Sequence, residues 1–240
     1  MTRATPRASP TTNAAVIHRI LAVALIAGLV AGLAVAALQH VTTTPLIVAA
    51  EVFEEAQHAH EPATVEDEGW KPAEGAPRTL ATAIATIAVA TGYALILLAA
   101  MLIAGEEIEP GRALIFAACG FAATGLATGL GLAPQLPGAA EAELFARQFW
   151  WVSAAAGAAG GLFLLLRRKE PLAKVAGLAL IVAPHVVGAP QPAAPASTVP
   201  AELAARFAAS SLAVQAVTWC LAGALVGMLW RKFVAREASR

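Results

Sequence analysis

Six apolar stretches, joined by segments alternately rich and poor in positive charge, decide what this chain can fold into. They run roughly Ile17–Leu38, Leu80–Ala104, Ala113–Ala133, Phe149–Leu166, Leu172–Val187 and Ser210–Trp230. All but the fifth have about 18 residues or more, enough to cross about 30 Å of hydrocarbon at about 1.5 Å per residue. The fifth is shorter and carries Pro184 near its end. Spans of this kind must be helical, because an open sheet would leave backbone groups unpaired in lipid. The expected fold is therefore all-α: a polytopic transmembrane helix bundle of about six spans, or five if the fifth falls short, forming a single integral membrane domain.

Charge supplies an orientation. With the N-terminus in the cytoplasm and sides alternating, the inner segments hold Arg3, Arg7, Arg19, Arg112, Arg167, Arg168, Lys169, Lys174, Arg231, Lys232, Arg236 and Arg240. These are twelve of the sixteen Lys and Arg residues, leaving Lys71, Arg78, Arg147 and Arg206 outside. Such a bias predicts both termini in the cytoplasm of a bacterial cell, with the bundle in its inner (plasma) membrane. The acids lean the other way, with eleven of sixteen outside. The formal net charge of zero thus conceals two oppositely charged faces and gives no support to nucleic-acid binding. Charged residues make up only 13% of the chain, against roughly 25% in soluble domains.

The N-terminus has a competing reading. Arg-containing residues 1–19 precede an apolar run, and Ala34-Val35-Ala36 resembles a signal-peptidase site. Cleavage there would leave five spans. The run continues to Leu38, which is long for a signal core and favours a retained span. Residues 1–13, rich in Thr, Pro and Ala, read as disordered.

Four spans carry a Gly-xxx-Gly spacing: Gly28/Gly32, Gly125/Gly129, Gly157/Gly161 and Gly223/Gly227. Small residues let helix backbones approach closely in lipid. The spacing does not separate contacts within one chain from an oligomer. Trp150, Trp151 and Trp230 fall at span edges, where interfacial Trp is ordinary. Cys119 and Cys220 lie within spans and read as small buried apolar residues.

The longest polar segment, about residues 40–78, follows the first span on the outer side. From Pro45 its pattern predicts a helix with Pro in the first turn. On that helix Glu51 and Glu55 are four apart, as are Glu54 and His58, while Glu55 and His58 are three apart. These spacings put carboxylates and imidazole on neighbouring positions of one surface. His60, Glu61, Glu66, Asp67 and Glu68 extend the cluster. Carboxylate with imidazole suits borderline divalent metals such as cobalt, nickel and zinc, and ligand type alone does not choose among them. A solvated acidic loop is the plain alternative. His40 ends the first span, and His185 sits between Pro184 and Gly188, which are expected to break the fifth helix. Glu106, Glu107 and Glu109 read as a solvated cytoplasmic loop, with a role in ion exit as the sharper reading. No P-loop, no Gly-x-Ser-x-Gly and no His-Glu-x-x-His occurs, so nothing here points to an enzyme.

Several blocks together resemble the CbtA-type probable cobalt transporter subunits. They are Gln39-His40 with Pro45-Leu46-Ile47 and Ala50-Glu51-Val52-Phe53-Glu54, then Trp70-Lys71-Pro72 with Gly75 and Arg78. Gly129 to Gly138, Arg147-Gln148-Phe149-Trp150-Trp151 and Pro184-His185 with Gly188-Ala189-Pro190 complete the set. Ala133 and Gln135 stand where the family pattern has Pro and Glu, which weakens a ligand role for that loop. The family is usually described with five spans, where hydropathy here gives six. The resemblance implies Co²⁺ uptake for cobalamin synthesis, often with a small single-span partner bearing a histidine motif. It singles out His40, Glu51, Glu54 and His185 for metal contact, beside Glu55 and His58 from the spacing. The competing function is a non-transporting scaffold that binds a partner helix through its Gly-xxx-Gly faces.

Topology is the direct test. Reporter fusions should place the C-terminus and the Arg167–Lys174 loop in the cytoplasm and residues 50–70 outside. A C-terminal fusion active only on the outer side would refute this arrangement.

Overall fold

The computed structural model describes residues 10–58, 72–193 and 197–238. Among them are seven α-helices: α1 (Pro10–Val41), α2 (Thr44–His58), α3 (Ala76–Ile103), α4 (Pro110–Phe121), α5 (Leu144–Arg167), α6 (Pro171–Val187) and α7 (Ala201–Ala238). α4 runs on into a π-helical segment, Ala122–Ala127. Five helical segments are long and apolar enough to cross a membrane: Val16–Val41, Ala76–Ile103, Pro110–Ala127, Leu144–Arg167 and Ala201–Val234. The predicted all-α, multi-pass bundle is what the chain forms. Several helices outrun their apolar stretches, because hydropathy marks where lipid lies, and Ala-rich flanks continue a helix beyond it. The third stretch is the exception. It was expected to reach Ala133, but the helix gives way to a turn at Leu130–Gly131, ahead of Pro134 and Pro137.

α6 has 17 residues, about 25 Å of helix, and is the marginal crossing that the sequence suggested. It packs antiparallel along α5, with Gly157 facing the Leu180 carbonyl and Gly161 facing that of Gly177. Pro184 does not break this helix, contrary to expectation; Gly188, at φ 88°, ends it. Proline has no N–H, so the Leu180 carbonyl loses its helical donor. Gly157 leaves room for that carbonyl, at 2.6 Å from where a Cβ would stand.

The other pairings use the same device. Gly28 and Gly32 of α1 lie against Thr91 and Ile87 of α3, and Gly223 and Gly227 of α7 lie against Ala113 and Pro110 at the start of α4. Three of the four Gly-xxx-Gly faces are therefore occupied within one chain. In the fourth, Gly125 meets Phe121 and Gln215, whereas Gly129 has only ordinary contact with Leu212 at 3.4 Å. The core gathers where α1, α3, α4 and α7 meet, around Val23, Leu97, Leu98, Met101, Trp219 and Val226. The α5–α6 hairpin joins that core through the π segment, where Ala123, Ala127 and Ala158 are buried together.

Mid-bundle polarity is neutral and hydrogen-bonded. Gln215 Nε2 donates to Tyr93 Oη at 3.2 Å and to the Thr124 carbonyl at 3.3 Å. Trp219 Nε1 donates to Thr124 Oγ1 at 3.1 Å, and its ring stacks on Tyr93 with centroids 4.3 Å apart. Cys220 is exposed on the bundle surface rather than buried, and Cys119 is half-buried.

The glycines at 161 and 129 should respond differently to added bulk. Gly161→Ile drives a side chain into the Gly177 carbonyl and should destabilise the bundle by about 1–3 kcal/mol, read as lower abundance and a lower Tm. Gly129→Ile meets only a flexible leucine and should stay close to wild type. Equal loss from both variants would contradict this packing.

Candidate functional site

Residues from every resemblance block that falls among the described residues come together at one end of the bundle, in two patches. The first is a helical corner. The Gln39 carbonyl accepts the amides of Thr42 and Thr43 at 3.2 and 3.1 Å, and the Thr43 carbonyl accepts those of Leu46 and Ile47. α1 thus turns directly into α2, with Pro45 in the first turn as predicted. Two side-chain ties then fix α2 against α3. Thr86 Oγ1 donates to Gln39 Oε1 at 2.7 Å. Arg78 grips the Glu51 carboxylate with both terminal nitrogens, Nη1 reaching Oε2 at 3.0 Å. Glu74 adds a second carboxylate 3.5 Å from Arg78. His40 is exposed at the corner itself.

Glu51 is therefore a carboxylate held in an ion pair, and the arginine that holds it comes from 27 residues further along. The sequence marked Arg78 as an outer cation and missed it as the partner. Glu54, Glu55 and His58 lie on α2, but their side chains fall outside the described residues. His60, Glu61, Glu66, Asp67, Glu68, Trp70 and Lys71 lie outside them entirely. Ala50 on the inward side of α2 packs with Leu136 and Val199, which ties the corner to the loops before α5 and α7.

The second patch centres on Trp150. Its indole Nε1 donates to the Pro184 carbonyl at 3.0 Å, and its ring meets His185 edge-on with centroids 5.6 Å apart. Gly131 provides the space for that ring, and Ala189 closes the same spot at 3.0 Å. Trp150 is only 6% exposed, so it is a buried positioning residue rather than a member of an interfacial belt. Trp151, its neighbour, is exposed. Beside this patch, Arg147 pairs with Glu141 at 2.7 Å, next to a cavity of about 220 Å³ partly lined by Gln135 and Gln191. α5 starts here because Glu143 caps it, accepting the amides of Phe145 and Ala146 at 2.8 and 2.7 Å. Those two donors hold the Glu143 carboxyl below its ordinary range.

His185 and Glu51 belong to different patches. Among the described residues no group of three or more His, Cys, Asp or Glu side chains is placed to hold a metal ion. The described part of this end offers separate candidate groups: an exposed imidazole at His40, a paired carboxylate at Glu51 and a half-buried imidazole at His185.

At the opposite end the acidic loop is solvated only in part. The Glu106 side chain is 8% exposed and pairs with both Arg112 and Arg167, which joins the start of α4 to the end of α5. Glu107 and Glu109 are exposed and fit the solvated reading, with Glu109 pairing with Arg112 at 3.1 Å on the surface. Nearby, Arg19 lies 5.3 Å from the Trp230 ring centroid.

The Glu51–Arg78 tie makes a testable claim about the corner. Glu51→Gln and Arg78→Gln should each loosen α2. A double-mutant cycle on unfolding should give a coupling of about 1 kcal/mol, modest because both side chains are 28% exposed. Strict additivity of the two variants would show that the pair does not hold the corner.

Comparison with known proteins bears on all of this. No curated protein and no solved structure matches this chain. The family described as probable cobalt transporter subunit (CbtA) matches residues 17–231, from the first span to the end of the last. The chain is a multi-pass membrane protein that belongs to the CbtA family of probable cobalt transporter subunits.

Proposed function

We propose that this chain is the membrane subunit of a transition-metal uptake system in the bacterial inner membrane, that its cargo is Co²⁺, and that the imported metal supplies cobalamin biosynthesis. One observation carries the reading: a family match over residues 17–231 whose described polar blocks gather at one end of the bundle. The charge bias supports putting that end outside. Cargo collects on the acidic, histidine-bearing segment that begins on α2, with Glu54, Glu55 and His58 as ligands beside Glu51. His40 and His185 receive it at the tops of α1 and α6. Arg78 holds the Glu51 carboxylate in place, and a dication would compete with that guanidinium for the same oxygens. The chain performs no covalent chemistry in this scheme.

Crossing the bundle is costly for a bare dication, since burial of an unpaired charge is expensive. The subunit therefore works with others, and a small single-span subunit bearing histidines suits the need.

The test is uptake of radiolabelled Co²⁺ by cells carrying abundance-matched variants. His40→Ala, His185→Ala and the Glu51→Ala/Glu54→Ala pair should each cut uptake about tenfold or more, on the order of one lost metal ligand or its support. Substitution of Glu66, Asp67 and Glu68 should cost less, because these acids only raise the local cation concentration. Wild-type uptake by both histidine variants would remove them from the route and favour the scaffold reading.

A further inference from the structure

α5 leans on the rest of the bundle mainly through the π segment, and its other half stands away from α3 and α4. The gap is a cleft of about 780 Å³ between α3, α4 and α5, within the usual range for ligand pockets. Its walls are apolar, and several are open to the surroundings: Ile96 at 60% exposure, Ile115 at 61% and Leu166 at 63%. Its mouth is the Glu106, Arg112 and Arg167 cluster, and its inner end is closed by Thr124 and Trp219.

The depth limits what can fill it. The lining runs from Ile96 to Ala104 on α3 and from Ala155 to Arg167 on α5. At about 1.5 Å per residue these walls are roughly 12 and 18 Å tall, about half of a 30 Å hydrocarbon layer. A transmembrane helix needs a groove through both leaflets, and this one stops at the Tyr93–Trp219 stack. An acyl chain of one leaflet needs only this depth. The mouth sets the headgroup. Arg167 spends donors on Glu106 and the Ala104 carbonyl, and Arg112 on Glu106 and Glu109. Each guanidinium has five N–H donors and each side chain is more than 40% exposed, so donors remain for a phosphate. Arg168 and Lys169 follow directly at the exposed end of α5.

We infer that the cleft is a binding site for an anionic phospholipid of the cytoplasmic leaflet, with an acyl chain between α3, α4 and α5 and its phosphate on Arg112 and Arg167. The bound chain fills the wedge that the π segment opens and supports the hairpin carrying His185. The inference concerns lipid binding alone and does not depend on the identity of the cargo.

Native mass spectrometry of the purified full chain tests it, with dioleoyl phosphatidylglycerol and dioleoyl phosphatidylcholine titrated separately. Wild type should retain phosphatidylglycerol preferentially. Arg167→Gln should lower that preference about fivefold, as for the loss of one cationic contact near a membrane surface. Ala159→Phe leaves every ion pair intact and plugs the cleft, so it should abolish retention of the preferred lipid while the protein stays folded. Equal retention of the two lipids by wild type would overturn the proposal. So would unchanged retention in Ala159→Phe, or recovery of the chain from membranes with a protein helix cross-linked to Cys119 in the cleft.

Discussion

Close approach of helix backbones at glycine is what the rest of this structure rests on. In lipid there is little apolar driving force between helices, so contact distance and shape must supply the association. Gly28 and Gly32 bring α1 onto α3, Gly223 and Gly227 bring α7 onto α4, and Gly157 and Gly161 bring α6 onto α5. The third pairing has the largest consequence. It accommodates the carbonyl that Pro184 leaves without a donor, so α6 stays helical through proline and delivers His185 beside Trp150. Without room at Gly157, the same proline would have to kink α6 away from α5.

The spans were legible because membrane helices announce themselves twice, once by apolar length and again by the charges between them. α2 was legible too, from Pro45 and the carboxylate spacing after it. The partners of functional side chains were not. Glu51 finds Arg78, Trp150 finds Pro184, and Glu106 finds Arg167. These pairs are separated by a whole polar segment or one to two helices, and their meeting depends on how helix ends come together. A sequence shows a carboxylate in a polar loop, and solvation is the economical reading of it. Only packing shows that Glu106 bridges two helices. The π segment left no sequence signal beyond Gly120, Thr124 and Gly125, residues that also suit an ordinary membrane helix.

The two ends of the bundle are built on opposite plans. At the His185 end, short turns and side-chain ties hold α2 and the loops before α5 and α7 in a closed layer, with Ala50, Leu136 and Val199 at its centre. At the Arg167 end, α5 stands away from α3 and α4, and a buried carboxylate bridges the gap. The π segment sits between these regimes. A wide turn of this kind is found often at functional places in helices. Here it gives α5 its contact in one half of the bundle and leaves the cleft in the other.

The middle of the bundle is poor in groups that could meet a dication. No Asp, Glu, His, Lys or Arg occurs in residues 80–104, 113–133, 149–166 or 210–230. Of the described polar groups there, Tyr93, Thr124, Gln215 and Trp219 already bond one another. An incoming dication would have to break that network and would gain neutral oxygens in return, with the Cys119 and Cys220 thiols as further donors in these stretches. On the proposed uptake reading, charge compensation at mid-depth comes from outside these four stretches, from a partner helix or from ligands that travel with the ion. The residues proposed for capture lie at one end, on helix termini and on α2, where a second subunit can reach them. On the proposed reading, this chain collects and orients the metal ion, and the step across the hydrocarbon falls to the assembly it joins.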